Sequence, residues 1–436
     1  MKPKPQLSFW QIWNMSFGFL GVQIGYSLQN SNTSTIFSSM GADVNQLSYF
    51  WLAAPIAGFI VQPIIGMFSD RTWTKMGRRV PFILGGAFIS AIALLLMPNA
   101  NILLALAPLA IGAIILLFMD MSFNVTMQPF RALVADMLND DQKTKGYVIQ
   151  TLLINLGAVI GGFLPLILTQ FGVSDTASPG EISKHIAYSY YIGGGILLAT
   201  VIVTSLRTKE YPPEEFAKYN NETVEQMSEK VSFGKLMHNI PKTMLQLGIV
   251  QFFSWAALFL MWTYLKPALT GNIFDSAGNP LTEGETATWV GVLNGVYPIP
   301  ACLVALFMSN IANKFGNKPV YSICLLFGFL GYMGLFFISN KYMLMLPMIG
   351  IGIAWAGILA MPYSILSRTI KAESMGVYMG IFNFTITIPQ IFVGLIGGMV
   401  VKYMFGSNAI AMIALAGVLM LLAAISVMFV REKSIE

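Results

Sequence analysis

Charge is scarce in this sequence, and the scarcity decides its class. Only 10% of the 436 residues are Asp, Glu, Lys or Arg, whereas a soluble globular domain carries about 25%. Together with 56% hydrophobic residues and a mean hydropathy of +0.68, this excludes a soluble domain and predicts an integral membrane protein. Cysteine is nearly absent. Cys302 and Cys324 both lie in apolar runs, which excludes a disulfide scaffold and reads as two small core residues. The two histidines, His185 and His238, fall in a loop and in the hydrophilic middle of the chain, so neither is placed to carry a proton through a membrane. No metal-ligand cluster, nucleophile constellation or phosphate-binding loop can be assembled, which argues against an enzyme and against a cofactor. The net charge of +5 is explained by where the basic residues sit and predicts no nucleic-acid partner. Met1–Leu7 is short and polar, and no small-residue cleavage site follows the first apolar run, so no cleavable signal peptide is expected.

Long uninterrupted apolar runs are abundant. Ile83–Met97 and Ala409–Val430 are solid, whereas barrel strands alternate apolar and polar residues, so the expected class is all-α integral membrane. Twelve spans are predicted, near 9–36, 47–69, 81–99, 102–138, 146–170, 187–206, 243–266, 287–312, 319–339, 342–367, 375–400 and 408–430. The longest hydrophilic interruption, Arg207 to Lys242, carries as many acidic as basic residues. It reads as a solvated linker, with room for an amphipathic helix, between an N-terminal six-helix half (1–206) and a C-terminal one (243–436). With the N-terminus inside the cell, only Lys184, Lys266, Lys341 and Lys402 of the 25 basic residues fall outside, and Arg131 lies within a span. That asymmetry predicts a multi-pass inner (plasma) membrane protein with both termini cytoplasmic. The halves also echo each other. GRRVPFI (Gly77–Ile83) returns as GNKPVYS (Gly316–Ser322), and PFRALVAD (Pro129–Asp136) as PYSILSRT (Pro362–Thr369). Two pseudo-symmetric six-helix halves around a cavity form the major facilitator architecture of secondary transporters.

The chain's unusual stretch is Phe118–Leu138. Asp120 is the one carboxylate well inside an apolar span, and Asn124, Gln128 and Arg131 follow it at helical spacing, within an arc of roughly 80°. An intramembrane acid is a functional hypothesis by default. Arg131 lies about 16 Å further along the axis, so the two are not a simple ion pair. The loop after span two, GMFSDRTWTKMGRRVPF, sets Asp70 and Arg71 before Arg78 and Arg79. With Asp136 at the inner end of span four, these residues are expected to bridge helix ends as a gate rather than only to anchor the loop. In span one Gln23, Tyr26, Asn30 and Ser34 share a face, with Gln29 to one side. Amides of this kind either line a polar cavity or glue helices together, and the expectation here is a cavity that bonds sugar hydroxyls. Asn155, Asn294, Asn383 and Gln390 divide evenly between those roles, and Gln251, one turn before Trp255, is expected to line the cavity with it. Of the aromatics Trp51, Trp255, Trp262, Tyr297, Trp355 and Tyr363, most are expected to pack or to sit in belts, and Trp255 and Trp355 are the expected sugar contacts.

GVQIGYSLQNS, FWLAAPIAGFIVQPIIGMFSDR, GRRVPFILGG and MDMSFNVTMQPFRALVADM together resemble the plant sucrose–proton symporters and their animal and bacterial relatives in the glycoside–cation symporter group. The resemblance is strong over roughly the first 170 residues and looser beyond. It implies that Asp120 carries the coupled proton, that Arg131 assists coupling or substrate contact, and that Asp70, Arg71, Arg78 and Arg79 form the inner gate. The plant members' charged segment after span seven is replaced here by MWTYLKPALTG (Met261–Gly271), which contains no acid. This is more like the bacterial branch and implies maltose and related α-glucosides.

The expected activity is import of such a disaccharide with a proton by alternating access. Burial disfavours an ionised carboxylate, so occluding Asp120 as the neutral acid is far less costly than occluding it bare. The expected partners are the disaccharide and the lipid bilayer, in a functional monomer. Three alternatives stay open: Na⁺ as the coupling ion, held by Asp120 and Asn124; an uncoupled facilitator; and, from another class, a membrane sugar receptor or membrane-embedded enzyme.

Overall fold

The computed structural model describes residues 4–40, 53–100, 108–174, 182–220, 223, 238–281, 283–370 and 374–431. Trp51, the Ser34 side chain and most of the 221–237 stretch lie outside them. The described residues are helical, with three isolated bridges as the only β pairing.

The chain divides into two units. The first comprises residues 1–236 with 371–383, and the second 237–370 with 384–436. Unit 1 contains α1 (Phe9–Ser39), α2 (Ala53–Arg71), α3 (Val80–Leu96), α4 (Pro108–Met137), α5 (Asp140–Gln170), α6 (Lys184–Arg207) and the short α7 (Pro213–Asn220). Unit 2 contains α8 (Lys242–Leu269), α9 (Glu283–Val296), α10 (Pro298–Phe315), α11 (Asn317–Phe337) and α12 (Met345–Leu366). Span eleven is divided at Asn383. Its first piece, α13 (Met375–Phe382), packs in unit 1, and its second, α14 (Phe384–Met399), belongs to unit 2 with α15 (Ile410–Val427). Among the described residues ten helices are long and apolar enough to cross a membrane. α1 and α2 stand at the first two predicted spans, so each of the twelve apolar runs is met by helix.

Local chemistry sets the boundaries. Asn139 accepts from the Gln142 amide at the start of α5, and Asp140 and Asp141 fill its first turn, next to the orphan N–H groups and the positive dipole end. Gly316, at φ +88°, ends α10 and turns into α11, a conformation that glycine adopts without strain.

Both units use the same pairing scheme. In unit 1, α1 packs on α5 and α6, α3 on α4 and α6, and α2 on α4. In unit 2, α8 packs on α14 and α15, α11 on α12 and α15, and α10 on α12. The short sequence echoes are therefore the trace of a repeated six-helix bundle. Small residues allow the close approaches, as transmembrane packing requires. A methyl group on Gly21 would lie 2.7 Å from the Leu197 backbone. Large apolar side chains such as Phe88, Leu206, Leu303 and Leu395 face outward, as a lipid environment permits.

The central linker holds the amphipathic helix it had room for, with Glu214, Glu215 and Lys218 of α7 exposed, but the helix's apolar side is not left to solvent. Tyr211 donates to the Met137 carbonyl, and α7 buries Phe216 and Ala217 against Trp73 and Tyr211. Four apolar or aromatic side chains outweigh the local charge count, so the linker's first part is folded onto unit 1.

Gly21→Ala forces a methyl into backbone that cannot yield, and overpacking of this kind costs about 1–3 kcal/mol. Its thermal unfolding midpoint in detergent is expected to fall by several degrees. Gly195→Ala, where nothing lies within 4 Å of the new methyl, is expected to leave it unchanged or slightly raised.

Candidate functional site

Two clusters of buried polar groups occupy unit 1, and α4 carries part of both. The first surrounds Asp120, which is 1% exposed. Gln29 on α1 donates from Nε2 to Asp120 Oδ1 at 2.5 Å. Asp120 Oδ2 and Gln29 Oε1 are buried with no hydrogen-bond partner, and among the described residues no basic side chain pairs with Asp120. One turn on, Asn124 Nδ2 donates to the Asp120 backbone carbonyl at 2.8 Å, and its Oδ1 accepts from Gln62 Nε2 at 2.6 Å. Tyr26 and Asn30 are hydrogen-bonded to each other within electrostatic reach of Asp120, with Asn30 itself exposed. Gln23 is half-buried where α1 meets Gly157 of α5. Asn155 is buried, bonds the Thr151 carbonyl through Nδ2, and keeps Oδ1 without a partner.

The second cluster is ionic. Asp70, the penultimate residue of α2, accepts from Arg79 Nη2 at 2.5 Å and from Arg78 Nη2 at 3.2 Å. Asp136, near the end of α4, accepts from Arg79 Nε at 2.8 Å and lies 3.3 Å from Arg78 Nε. Arg79 also donates to Ser69 Oγ at 2.6 Å. All four charged side chains are buried. Burial works against the Arg79 charge, but Asp136 and Asp70 more than offset it and raise the guanidinium's pKa above its ordinary value. Burial and the neighbouring Arg79 lower that of Arg78. Its guanidinium stacks 4.6 Å from the Phe216 ring of α7 and 5.4 Å from Trp73. Arg71 is exposed at the last position of α2. Arg131 is half-buried, 11 residues beyond Asp120, with its carbonyl accepting from Tyr147 Oη.

The ionic cluster has partners that reading the sequence did not bring to light. Ser374 at the N-cap of α13 makes no side-chain cap, and Asp70 supplies one from another helix. Its Oδ1 accepts from the Gly376 amide at 2.9 Å and its Oδ2 from the Val377 amide at 2.8 Å. This satisfies orphan N–H groups and places negative charge at the positive end of the helix. Gln128 Nε2 donates to the Gly376 carbonyl. A side chain on Gly66 or Gly380 would strike the facing backbone of α13 or α2. Glu210, from the linker, accepts from the Arg79 and Val80 amides at 2.9 Å each and thereby caps α3. Burial raises its carboxyl pKa above the ordinary value, against the pull of those two amides. Backbone amides have no letter in a sequence, and Glu210 was hidden in a mixed charge run. Gln29 stood one residue off the polar stripe of span one, and a long amide one turn from Tyr26 was its only signal.

In unit 2, Trp255 and Trp262 of α8, Tyr297 before α10 and Trp355 of α12 form an edge-to-face cluster, with ring centroids 5.6 Å apart for Trp255–Trp355 and 6.1 Å for Tyr297–Trp355. Gln251, one turn before Trp255, accepts from Tyr321 Oη at 3.1 Å. Its Nε2 and the Trp255 Nε1 are buried donors without partners. Asn383 is buried at the junction of α13 and α14. Among the described residues no group of His, Cys, Asp and Glu is arranged to hold a metal.

Replacing Asp136 with Ala removes the shared acceptor of two buried guanidinium groups. Breaking such a pair costs about 3–5 kcal/mol. Asp136→Ala is therefore expected to lower the unfolding midpoint in detergent sharply, whereas Glu214→Ala, on the exposed side of α7, is expected to stay within about 0.5 kcal/mol of the parent.

Known proteins resemble this chain in sequence and in fold. Residues 35–411 match the family model described as MFS/sugar transport protein. The Oryza sativa subsp. indica sucrose transport protein SUT5 is 24% identical over 426 residues, covering 87% of this chain and 79% of its own. The Arabidopsis thaliana sucrose transport protein SUC4 is 26% identical, covering 90% and 84%. A general alpha-glucoside permease of Schizosaccharomyces pombe is 25% identical over 58% of this chain and 46% of its own. Among solved structures, the major facilitator superfamily transporter FucP in its outward conformation aligns over 98% of this chain and 99% of its own, with a TM-score of 0.72 at 15% identity. The proton:xylose symporter XylE aligns over 95% and 94%, with a TM-score of 0.69 at 10% identity. The twelve apolar runs, the repeated six-helix pairing and the family match over most of the sequence lead to one assignment: this chain belongs to the MFS/sugar transport protein family, with the major facilitator fold.

Proposed function

We propose that this chain imports an α-glucoside disaccharide, of the maltose or sucrose type, together with a proton, by alternating access across an inner (plasma) membrane with both termini in the cytoplasm. The family and fold are those of sugar transporters rather than enzymes. The observation that carries the coupling is Asp120: a buried carboxyl group with one amide donor, one unpartnered oxygen and no counter-cation among the described residues. A bare carboxylate in that position is far more costly than the neutral acid. Loading a proton makes occlusion feasible, and hydration on the other side releases it. Each proton drawn inward by the membrane potential contributes about 2.3 kcal/mol per 100 mV.

Sugar recognition falls to the polar groups that the fold leaves unsatisfied. In unit 1 these include Asn155 Oδ1 and Gln128 Oε1, with Gln23, Tyr26, Asn30 and Asn124 on neighbouring turns. In unit 2 they include Gln251 Nε2 and Trp255 Nε1, beside the ring faces of Trp255 and Trp355. Amides and indoles that lack protein partners match a ligand rich in hydroxyls. Asp70, Arg78, Arg79 and Asp136 act as the inner gate by holding the first turn of α13, and Arg71 and Arg131 flank it. A gate of this kind opens when Asp70 gives up the Gly376 and Val377 amides. The names of the relatives, sucrose transport proteins and an alpha-glucoside permease, support the substrate class. The acid-free segment after span seven favours maltose over sucrose.

The test uses the protein in proteoliposomes with a panel of disaccharides. Parent protein is expected to accumulate labelled maltose under an imposed inward proton gradient. Asp120→Asn, which mimics the permanently neutral acid, is expected to lose accumulation while retaining maltose counterflow. Undiminished accumulation by Asp120→Asn, or accumulation that follows a sodium gradient at constant pH, would refute proton coupling at this residue.

A further inference from the structure

The two unpartnered acceptors at the coupling site are on the two groups that already touch. Gln29 Nε2 donates to Asp120 Oδ1, which leaves Gln29 Oε1 and Asp120 Oδ2 buried and without donors. A primary amide and a carboxylic acid are complementary planar pairs: each presents one donor and one acceptor once the acid carries its proton. An ionised Asp120 turns one half of this pair into two acceptors side by side, a costly arrangement in a dry interior.

We propose that Gln29 is the residue that recognises the protonated state of Asp120, through a cyclic acid–amide pair in which Gln29 Nε2 donates to Asp120 Oδ1 and a proton on Asp120 Oδ2 is donated to Gln29 Oε1. The inference rests on the reading of Asp120 as the coupling site and adds to it a positioning residue on a different helix. The proton arrives from water on the loading side and returns to water on the other, and no bond besides O–H is made or broken. Gln29 is 2% exposed. Its own backbone carbonyl accepts from Thr33 Oγ1 at 2.6 Å, and the adjoining Leu28 carbonyl accepts from Tyr190 Oη at 3.2 Å. The α1 backbone is thus held at this turn, and the amide is presented to α4.

Among the described residues no other ionisable group offers Asp120 an alternative partner. α1 contributes Tyr26, which is engaged with Asn30. α3 has no ionisable side chain over Val80–Leu96. α2 has Asp70 and Arg71 at its last turn, committed to or flanking the ionic cluster. α13 has only Tyr378. α5 carries Asp140, Asp141, Lys143, Lys145 and Tyr147 in its first turns, alongside the far end of α4. On α4 itself Arg131 and Asp136 lie 11 and 16 residues away.

The measurement is the pH profile of gradient-driven maltose accumulation in proteoliposomes, paired with infrared difference spectra of the same protein. The protonated Asp120 carbonyl band is identified by its loss in Asp120→Asn. Gln29→Met keeps the bulk and removes both amide atoms. The alkaline limb of accumulation is expected to move to lower pH by roughly half to one unit, the equivalent of one net hydrogen bond, and the Asp120 carbonyl band is expected to move to higher frequency. Maltose counterflow at acidic pH is expected to persist. An unchanged limb and band in Gln29→Met, or a limb displaced to higher pH, overturns the pairing. If Gln29→Met does not yield folded protein, Gln29→Glu decides. A second carboxyl group shares the proton and holds it more tightly, so the limb is expected at higher pH than in the parent, and a limb at lower pH overturns the pairing. Failure of the underlying reading looks different: Asp120→Asn then accumulates maltose like the parent, whatever the Gln29 variants do.

Discussion

Unit 1 buries carboxylates in two opposite ways, and the contrast organises its chemistry. Asp70 and Asp136 are surrounded by donors: two guanidinium groups and, for Asp70, two backbone amides. Every bond they make comes from a donor. Asp120 has one amide donor and no cation among the described residues. In a bundle of Leu, Ile and Phe, the first arrangement satisfies its charges within the protein, whereas the second leaves a carboxyl group that is far less costly to bury as the neutral acid.

One helix joins the two. α4 carries Asp120, Asn124, Gln128 and Asp136, with each eight-residue step covering about 12 Å. Asn124 connects it to Gln62 of α2, Gln128 to the Gly376 carbonyl of α13, and Asp136 to both arginines. A change of state at Asp120 is therefore two turns from a residue that grips α13 directly. Asp70 grips the same turn of α13 through its amides. Glu210 and Phe216 support the arrangement from the linker side, where Glu210 caps the helix that begins just after Arg79. In the proposed mechanism these contacts are the physical route by which proton loading and gating influence each other, carried by named bonds rather than by proximity.

Much of this was legible in the residues. Apolar runs long enough to span a bilayer, the bias of basic residues to one side and the two echoed loops lead directly to a repeated twelve-helix fold, because hydropathy and backbone satisfaction leave few other solutions. Asp120 stood out because a carboxylate inside such a run is rare. The Asp70–Arg78–Arg79–Asp136 grouping followed from paired charges at helix ends. What was not legible has equally physical reasons. The partners of Asp70 at α13 are backbone amides of Gly376 and Val377. The division of span eleven at Asn383 carries no proline or charge to mark it. The folded start of the linker depends on Phe216 and Tyr211 finding Trp73 more than 130 residues earlier. Gln29 sits off the obvious polar stripe, and its importance emerges only when the unpaired oxygens are counted.

In the proposed mechanism sugar and proton move together through a site at Asp120. The most direct measurement places maltose outside proteoliposomes that hold a pH-sensitive dye, with no ion gradient imposed. Inward sugar movement is expected to acidify the lumen with the parent protein and to leave luminal pH unchanged with Asp120→Asn. Sugar entry by the parent with no change in luminal pH would contradict it.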